Sequence, residues 1–196
     1  MLKQIGPAVT ARGFYLGGGT ALALRLGHRI SVDLDWFSEA SFGDPALLAA
    51  ALRQAGVPFQ TTMMAEGTLH GTVHDVEVSF LHYPYPRLRP LGRAREFRIA
   101  SLDDLTSMKL SAVVNRGTKK DFVDIWALCR EHRPLDALID LYQRRYGVED
   151  RGHVLTALCY FADAARTRMP RMLWDVSWAT VERQIEGWVV EATRRS

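Results

Sequence analysis

The chain has 196 residues, of which 47% are hydrophobic and 24% charged, with a formal net charge of +3. This composition is typical of a folded globular protein and argues against an intrinsically disordered one. Its apolar runs are short and interrupted by charge, so we expect no membrane span, and we find no export signal in residues 1–13. Cys129 and Cys159 lie far apart and fit neither a disulfide framework nor a zinc motif. We therefore expect a cytoplasmic protein.

The first half of the chain predicts a small sheet with helices. Residues 14–16 are predicted as a buried strand that ends at three glycines, and residues 20–26 as a helix closed by Gly27. A second strand is predicted over residues 31–37, with Asp33 and Asp35 on one face. The pattern then predicts a helix over 45–55, strands over 59–64, 68–73 and 76–83, and a basic loop with a short edge strand over 87–98.

From Ser101 onward the hydrophobic period becomes that of helices. One helix starts near Ser101, and further helices are predicted over 119–131, 135–145, 151–166 and 177–193. We therefore predict an α+β fold, with an α/β core in residues 1–100 followed by a helical region in residues 101–196.

Asp33 and Asp35 are two residues apart on a predicted strand, so their side chains leave the same face with Cα atoms ~6.5–7 Å apart. Two carboxylates at this spacing repel each other unless a cation lies between them. Mg²⁺ prefers one or two carboxylates together with water and substrate phosphates. A metal site of this kind can activate an attacking hydroxyl and neutralise a leaving pyrophosphate. An exposed strand that happens to carry two aspartates is the alternative.

The three glycines, Gly17 to Gly19, follow a predicted strand and precede a helix. A glycine turn at this position lets backbone N–H groups approach a phosphate at the positive end of the helix. A simple tight turn is the alternative, but a glycine turn followed one helix later by an aspartate pair is more specific than either part. The pattern is neither a Rossmann fingerprint nor a P-loop.

Charge is distributed unevenly along the chain. Residues 1–84 hold five Lys/Arg against seven Asp/Glu, a net of −2, and residues 85–196 hold twenty against fifteen, a net of +5. An acidic half and a basic half suit a carboxylate–metal centre beside a phosphate-binding surface. A solvated basic surface would give the same count.

Three ordered motifs carry a family resemblance. The first is LGGGTAL at residues 16–22, the second combines LGHR at 26–29 with SVDLDWFS at 31–38, and the third contains Lys109, Arg116, Lys120-Asp121 and Asp124. Together they closely resemble the AbiEii/AbiGii toxin family of nucleotidyltransferases, which belongs to the polymerase-beta-like superfamily. The resemblance extends over roughly residues 14–128.

The resemblance implies a polymerase-beta-like core, an NTP substrate, Mg²⁺ and transfer of a nucleoside monophosphate to an acceptor. It implies that Asp33 and Asp35 bind metal, and that Lys109 lies near the phosphates. Arg29 either contacts the nucleotide or caps the preceding helix. The candidate nucleotide-binding residues are Gly18, Gly19, Thr20, Arg29, Ser31 and Lys109. The candidate catalytic residues are Asp33, Asp35, Glu77, Lys109 and Asp121.

The sequence departs from the superfamily pattern at one position. A later strand usually supplies a third carboxylate, and the aligned position here is Ser79. Glu77 lies on the same strand face two residues earlier and is the candidate substitute. Glu77 as a solvated strand residue is the alternative.

Three functions remain open from the sequence. The first is nucleotide transfer to tRNA or another RNA, by an enzyme that would be the toxin of a module with an antitoxin protein as its partner. The second is a non-catalytic relative that binds nucleotide or RNA, which the serine at position 79 motivates. The third is an enzyme that transfers the nucleotide to a protein. The basic excess after residue 84 favours RNA weakly.

Overall fold

The computed structural model describes residues 1–94 and 96–194. The helices are α1 (Leu2–Thr10), α2 (Gly18–Leu26), α3 (Pro45–Gln54), α4 (Leu102–Asn115), α5 (Lys119–Glu131), α6 (Leu135–Tyr146), α7 (Gly152–Leu158), α8 (Ala162–Ala165) and α9 (Trp178–Arg194). The strands are β1 (Tyr15–Leu16), β2 (Leu34–Ser38), β3 (Gln60–Ala65), β4 (Thr68–Val73), β5 (Val76–His82), β6 (Gly92–Ala94) and β7 (Phe97–Ile99).

The described strands form one sheet in the order β3-β4-β5-β2-β1-β7-β6. Strand β1 pairs antiparallel with β2 and parallel with β7, and β2 pairs parallel with β5. Strands β3, β4 and β5 form an antiparallel meander, and β6 and β7 form an antiparallel pair at the opposite edge. The predicted α+β class, with a mixed sheet followed by helices, is confirmed.

Strand β2 begins later than predicted. It starts at Leu34, so Asp33 precedes the strand, and Val32 is 59% exposed although Leu34 and Trp36 are buried. The reason lies in the hydroxyl of Thr20, which bonds to the carbonyl of Asp33. The Thr20 side chain therefore bonds to the Asp33 carbonyl, which a longer strand β2 would have used for pairing in the sheet.

Other boundaries also differ from the prediction. Helix α1 is not predicted, because Gly6-Pro7 interrupts its pattern, yet it buries Ile5 and Val9. The helix predicted over 151–166 is two helices, α7 and α8. The N–H groups of Cys159 and Tyr160 bond to carbonyls three residues back, which tightens and ends α7. The basic segment contains two strands, β6 and β7, in place of one.

The contacts divide the chain into two compact units. The first unit contains Met1–Ala21 and Ser31–Ser101, and the second contains Leu22–Ile30 and the residues from Leu102 onward. In the first unit the sheet buries large side chains such as Trp36 and Phe80. In the second unit Phe122 and Trp126 of α5 are fully buried. Within the described residues, no helix is both long and apolar enough to cross a membrane.

Candidate active site

The glycine turn and Asp35 meet at the start of α2, in the first unit. Strand β1 ends at Leu16, and the N–H of Gly17 donates to the carbonyl of Asp35 at 2.9 Å. Gly18 follows with φ +63°, and a Cβ on it would overlap an oxygen of the Asp35 carboxylate and lie 3.1 Å from the carboxyl carbon. Glycine is therefore the residue that this turn requires, both for its backbone angle and for the space that Asp35 occupies.

The start of α2 presents backbone donors beside this carboxylate. The N–H groups of the first turn, which include those of Gly18, Gly19 and Thr20, have no carbonyl partner within the helix. They lie at the positive end of the helix dipole, where an anion is favoured. A phosphate held by these donors would lie close to the negative charge of Asp35, so a cation between them would stabilise the arrangement.

Thr20 and Ser31 hold the segment that carries Asp33. The Thr20 hydroxyl bonds to the Asp33 carbonyl and lies 3.1 Å from the Ser31 hydroxyl. Thr20 is buried. The structure therefore brings these three predicted residues together, with the hydroxyl of Thr20 facing the backbone of the aspartate segment.

The position opposite Asp35 on the neighbouring strand is Ser79. The parallel pairing of β2 with β5 sets Asp35 against Ser79 and Leu34 against Val78. The Ser79 hydroxyl lies 2.8 Å from Nδ1 of His70 on β4. Glu77 is exposed, and the described residues contain no group of three or more His, Cys, Asp or Glu side chains placed to hold a metal ion. A metal-binding role for Glu77 stays a prediction.

The pairing of His70 with Ser79 is missed by the sequence analysis, although the predicted strands 68–73 and 76–83 leave a gap of two residues between them. His74 and Asp75 both have positive φ, at 50° and 63°, and form a two-residue turn between β4 and β5. A two-residue turn sets the register of the strands that it joins. Counting outward from this turn places His70 opposite Ser79.

The carboxylates of Asp33 and Asp35 have the oxygen atoms that a divalent cation prefers, and that of Asp35 lies against the turn whose N–H groups could hold a phosphate. Metal binding by the two aspartates stays a prediction. Mg²⁺ is commonly held by one or two carboxylates with water and substrate phosphates completing the shell. The donor set therefore suits a metal that a nucleotide helps to bind.

The distal motif forms a buried ionic cluster in the second unit, consisting of His28, Arg29, Lys109, Arg116, Asp121 and Asp124. The Lys109 side chain on α4 is 4% exposed, and its Nζ lies 2.6 Å from Oδ2 of Asp124 and 3.6 Å from Oδ1 of Asp121. Both aspartates belong to α5 and are fully buried. The family resemblance places Lys109 near the phosphates, and that role stays a prediction. The geometry shows a link between α4 and α5.

Asp121 also fixes the start of α5. Its carboxylate accepts two bonds from the Arg116 guanidinium, both at 2.9 Å, and one from the Thr118 hydroxyl at 2.6 Å. Thr118 and Asp121 form a capping box, in which each side chain contacts the other residue's backbone. Asp121 therefore has a structural role whatever its part in the reaction.

Asp124 anchors the segment that precedes the aspartate motif. Nε and Nη2 of Arg29 lie 2.7 and 2.8 Å from its two carboxylate oxygens, and Nε2 of His28 lies 2.7 Å from Oδ1. His28 and Arg29 are both buried. A two-point guanidinium–carboxylate contact is among the stronger ionic hydrogen bonds in proteins. The nucleotide-binding role of Arg29 stays a prediction.

The cluster keeps both aspartates ionised. Burial alone would raise the pKa of Asp124, but Lys109, Arg29 and His28 outweigh it and hold the pKa well below its usual range. Burial likewise opposes the ionisation of Asp121, and Arg116, Lys109 and Thr118 outweigh it, so that pKa is lowered too. Neither carboxylate is a proton acceptor near neutral pH.

The sequence matches the family described as "Nucleotidyl transferase AbiEii toxin, Type IV TA system" over residues 2–70 and 65–187. An uncharacterized protein of Aquifex aeolicus is 35% identical over 156 residues, which cover 77% of this chain and 75% of that protein.

Two solved structures share the fold. MenT4, a nucleotidyltransferase toxin of Mycobacterium tuberculosis, matches with a TM-score of 0.60 at 14% identity, covering 92% of this chain and 75% of its own. A candidate nucleotidyltransferase of Helicobacter pylori matches with a TM-score of 0.59 at 15% identity, covering 100% of this chain and 94% of its own. With a glycine turn set against an aspartate pair and a family match along most of its length, the chain belongs to the AbiEii toxin family of nucleotidyltransferases.

Proposed function

We propose that the chain transfers a nucleoside monophosphate from an NTP to an RNA acceptor, with tRNA as the first candidate, in a reaction that depends on Mg²⁺. The contact between the Asp35 carboxylate and Gly18 carries the proposal, because it sets a carboxylate beside backbone donors suited to phosphate. The family and its structural neighbours support the reaction class.

The reaction exchanges one phosphoester for another. A hydroxyl of the acceptor attacks the α-phosphorus of the NTP, the bond to the β-phosphate oxygen breaks, and pyrophosphate leaves. The N–H groups at the start of α2 would bind phosphate oxygens, and Thr20 and Ser31 would keep the Asp33 segment in position. Asp33 and Asp35 would hold Mg²⁺, which when bound neutralises phosphate charge and lowers the pKa of the attacking hydroxyl.

A labelling experiment tests this proposal. Wild-type protein is incubated with each α-³²P-labelled NTP and total tRNA, with Mg²⁺ or with EDTA, beside the double variant Asp33→Asn, Asp35→Asn. We expect label on RNA only for wild type with Mg²⁺, and a decrease of at least ~100-fold for the variant, since the loss of metal ligands should cost at least as much as the loss of their supporting residues.

Two other results would replace the proposal. Label on protein but not on RNA would identify a protein-modifying enzyme. No label on any acceptor, with nucleotide binding intact by calorimetry, would identify a non-catalytic relative, a possibility consistent with Ser79 opposite Asp35.

We also infer that the chain acts as the toxin of a two-protein module, with an antitoxin as its partner. Membership of a family described as part of a type IV toxin–antitoxin system supports this role. Induced expression in a bacterial host should arrest growth, and the Asp33→Asn, Asp35→Asn variant at equal expression should not. Equal growth with both proteins would contradict the inference.

A further inference from the structure

We propose that a groove in the first unit binds the phosphate backbone of the RNA acceptor. The groove, here called the arginine groove, has a volume of about 870 Å³ and is lined chiefly by residues 86–91 together with Phe14, Glu39 and Arg98. The proposal rests on the proposed function and adds to it the surface that holds the acceptor.

Guanidinium groups dominate the charge of the groove. Arg87, Arg89 and Arg98 line it, and Glu39 is the one acidic residue among the described lining residues. Nε of Arg87 lies 2.5 Å from Oε1 of Glu39, and the backbone N–H of Arg87 donates to the same oxygen at 3.1 Å. Glu39 therefore holds Arg87 at the end of β2. The net charge of the described lining residues remains positive.

A pair of like charges extends this positive surface. Arg93 on β6 lies directly opposite Arg98 on β7, and both residues are exposed. Opposite residues of an antiparallel pair share a face with Cβ atoms about 5 Å apart, and like charges there repel. In the described part of the chain, neither guanidinium has a carboxylate partner. An anion bound between them would relieve the repulsion.

Aromatic side chains lie at the same end of β2. The N–H of Tyr83 donates to the carbonyl of Ser38, one residue before Glu39. The rings of Tyr83 and Tyr85 contact each other with centroids 4.9 Å apart, and Tyr85 is 41% exposed. An exposed aromatic ring such as that of Tyr85, near several cations, is typical of surfaces that bind single-stranded nucleic acid, since bases stack on the ring while cations contact phosphates.

The groove is separate from the proposed nucleotide site. Asp35 lies near the start of β2 and Glu39 just after its end, a distance of ~13 Å for four residues of extended chain. The glycine turn and the two aspartates are also not among the described residues that line the groove, so an NTP bound by them would contact a different set of residues. A polymer with a phosphate at every residue can reach from one site to the other, which favours an RNA strand over a second small nucleotide.

The test compares two pairs of arginine substitutions. Fluorescence anisotropy measures binding of fluorescein-labelled tRNA and of a labelled single-stranded RNA oligonucleotide. The groove variant is Arg93→Gln, Arg98→Gln, which removes one arginine that lines the groove and the arginine opposite it on β6. The control variant is Arg53→Gln, Arg144→Gln, which removes the same charge from exposed positions on α3 and α6. Thermal melting confirms that both variants are folded.

We expect the groove variant to lose roughly tenfold in RNA affinity at low salt, and its plot of log K against log salt to flatten by about 1.4, the amount for two lost phosphate contacts on a single strand. The control variant should bind as wild type does. Equal binding by both variants, or equal weakening, would overturn the proposal. So would binding of polyglutamate in preference to RNA, which would identify an acidic protein as the partner.

The double variant Asp33→Asn, Asp35→Asn separates this inference from the proposed function. It should bind RNA at least as tightly as wild type, because its substitutions lie outside the groove and remove negative charge. RNA binding that depends on Arg93 and Arg98, without transfer of label to RNA by wild type, would support the groove and contradict the proposed reaction. Loss of RNA binding in the aspartate variant itself would place the RNA elsewhere and overturn the groove.

Discussion

The Cα of Gly18 lies so close to the Asp35 carboxylate that a methyl group has no room between them. This contact joins the two parts of the sequence pattern, the glycine turn and the aspartate pair, across the strands β1 and β2. The pattern predicted that the parts belong together. The pattern could not predict which of the two aspartates contacts the glycine turn, because this depends on the antiparallel register of β1 and β2.

Replacement of Gly18 by alanine tests this contact. Alanine at φ +63° costs about 1–2 kcal/mol through its backbone alone, and its Cβ would displace Asp35. Gly56→Ala is the matched control, since Gly56 has φ +78° and no atom within 4 Å of an added Cβ. We expect both variants to lose similar stability in urea, and only Gly18→Ala to lose Mg²⁺-dependent nucleotide binding by calorimetry. Intact binding in Gly18→Ala would show that the position of Asp35 is unimportant.

For single residues, the sequence identified Ser79 but did not predict its contact with His70. Ser79 was identified as the residue at the expected carboxylate position, and the strand register places it opposite Asp35. Its contact with His70 depends on a two-residue turn with positive φ at His74 and Asp75. Neither residue is glycine, so the usual signal for such a turn is weak in this sequence.

The elements themselves follow the sequence closely where their periodicity is strong. Helix α5 begins and ends where it was predicted, because Thr118 caps it and its buried face is continuous. Strand β2 and the 151–166 region differ because hydrogen bonds outside the pattern decide their ends. Helix α1 was missed because its buried residues are few and a proline lies within it. Periodicity predicts where an element lies, and tertiary contacts determine its ends.

The link between α4, α5 and residues 28–29 depends on Asp124. We expect Asp124→Asn to lower the free energy of unfolding by about 3–5 kcal/mol, since the change removes the carboxylate that the buried charges of Lys109 and Arg29 share. Asp136→Asn is the control. Asp136 pairs with Arg151 where the side chains are 24% and 27% exposed, so the loss there should stay below about 1 kcal/mol.

Urea unfolding followed by circular dichroism measures both variants. Similar losses in the two would show that the buried cluster is no more important to stability than a surface ion pair. Retained stability in Asp124→Asn together with lost activity would instead assign Asp124 a direct part in the reaction.

At the scale of the whole molecule, the lowered pKa values of Asp121 and Asp124 make stability depend on pH. An aspartate in the unfolded chain titrates near pH 3.9. Below about pH 5 the unfolded chain therefore begins to bind protons that the folded cluster does not accept. The stabilisation by the cluster is fully present above that pH and is lost progressively as the pH falls.

We expect the stability difference between wild type and Asp124→Asn to shrink between pH 5 and pH 3. Below the unfolded pKa the decrease should approach about 1.4 kcal/mol per pH unit for this one carboxylate. Urea midpoints at pH 5, 4 and 3, at constant ionic strength, measure the difference. A constant difference across this range would show that Asp124 titrates alike in the folded and unfolded chains.

Residues 22–30 belong to the same compact unit as the residues from 102 onward, although the intervening stretch belongs to the other. This interleaving has an evolutionary consequence. A gene recombined at the codon for residue 101 would join the aspartate pair to a new tail and leave His28 and Arg29 buried without Asp124. A lineage could exchange its helical tail only if the new tail brought a matching carboxylate. We therefore expect the two parts of this gene to be inherited together, as one module.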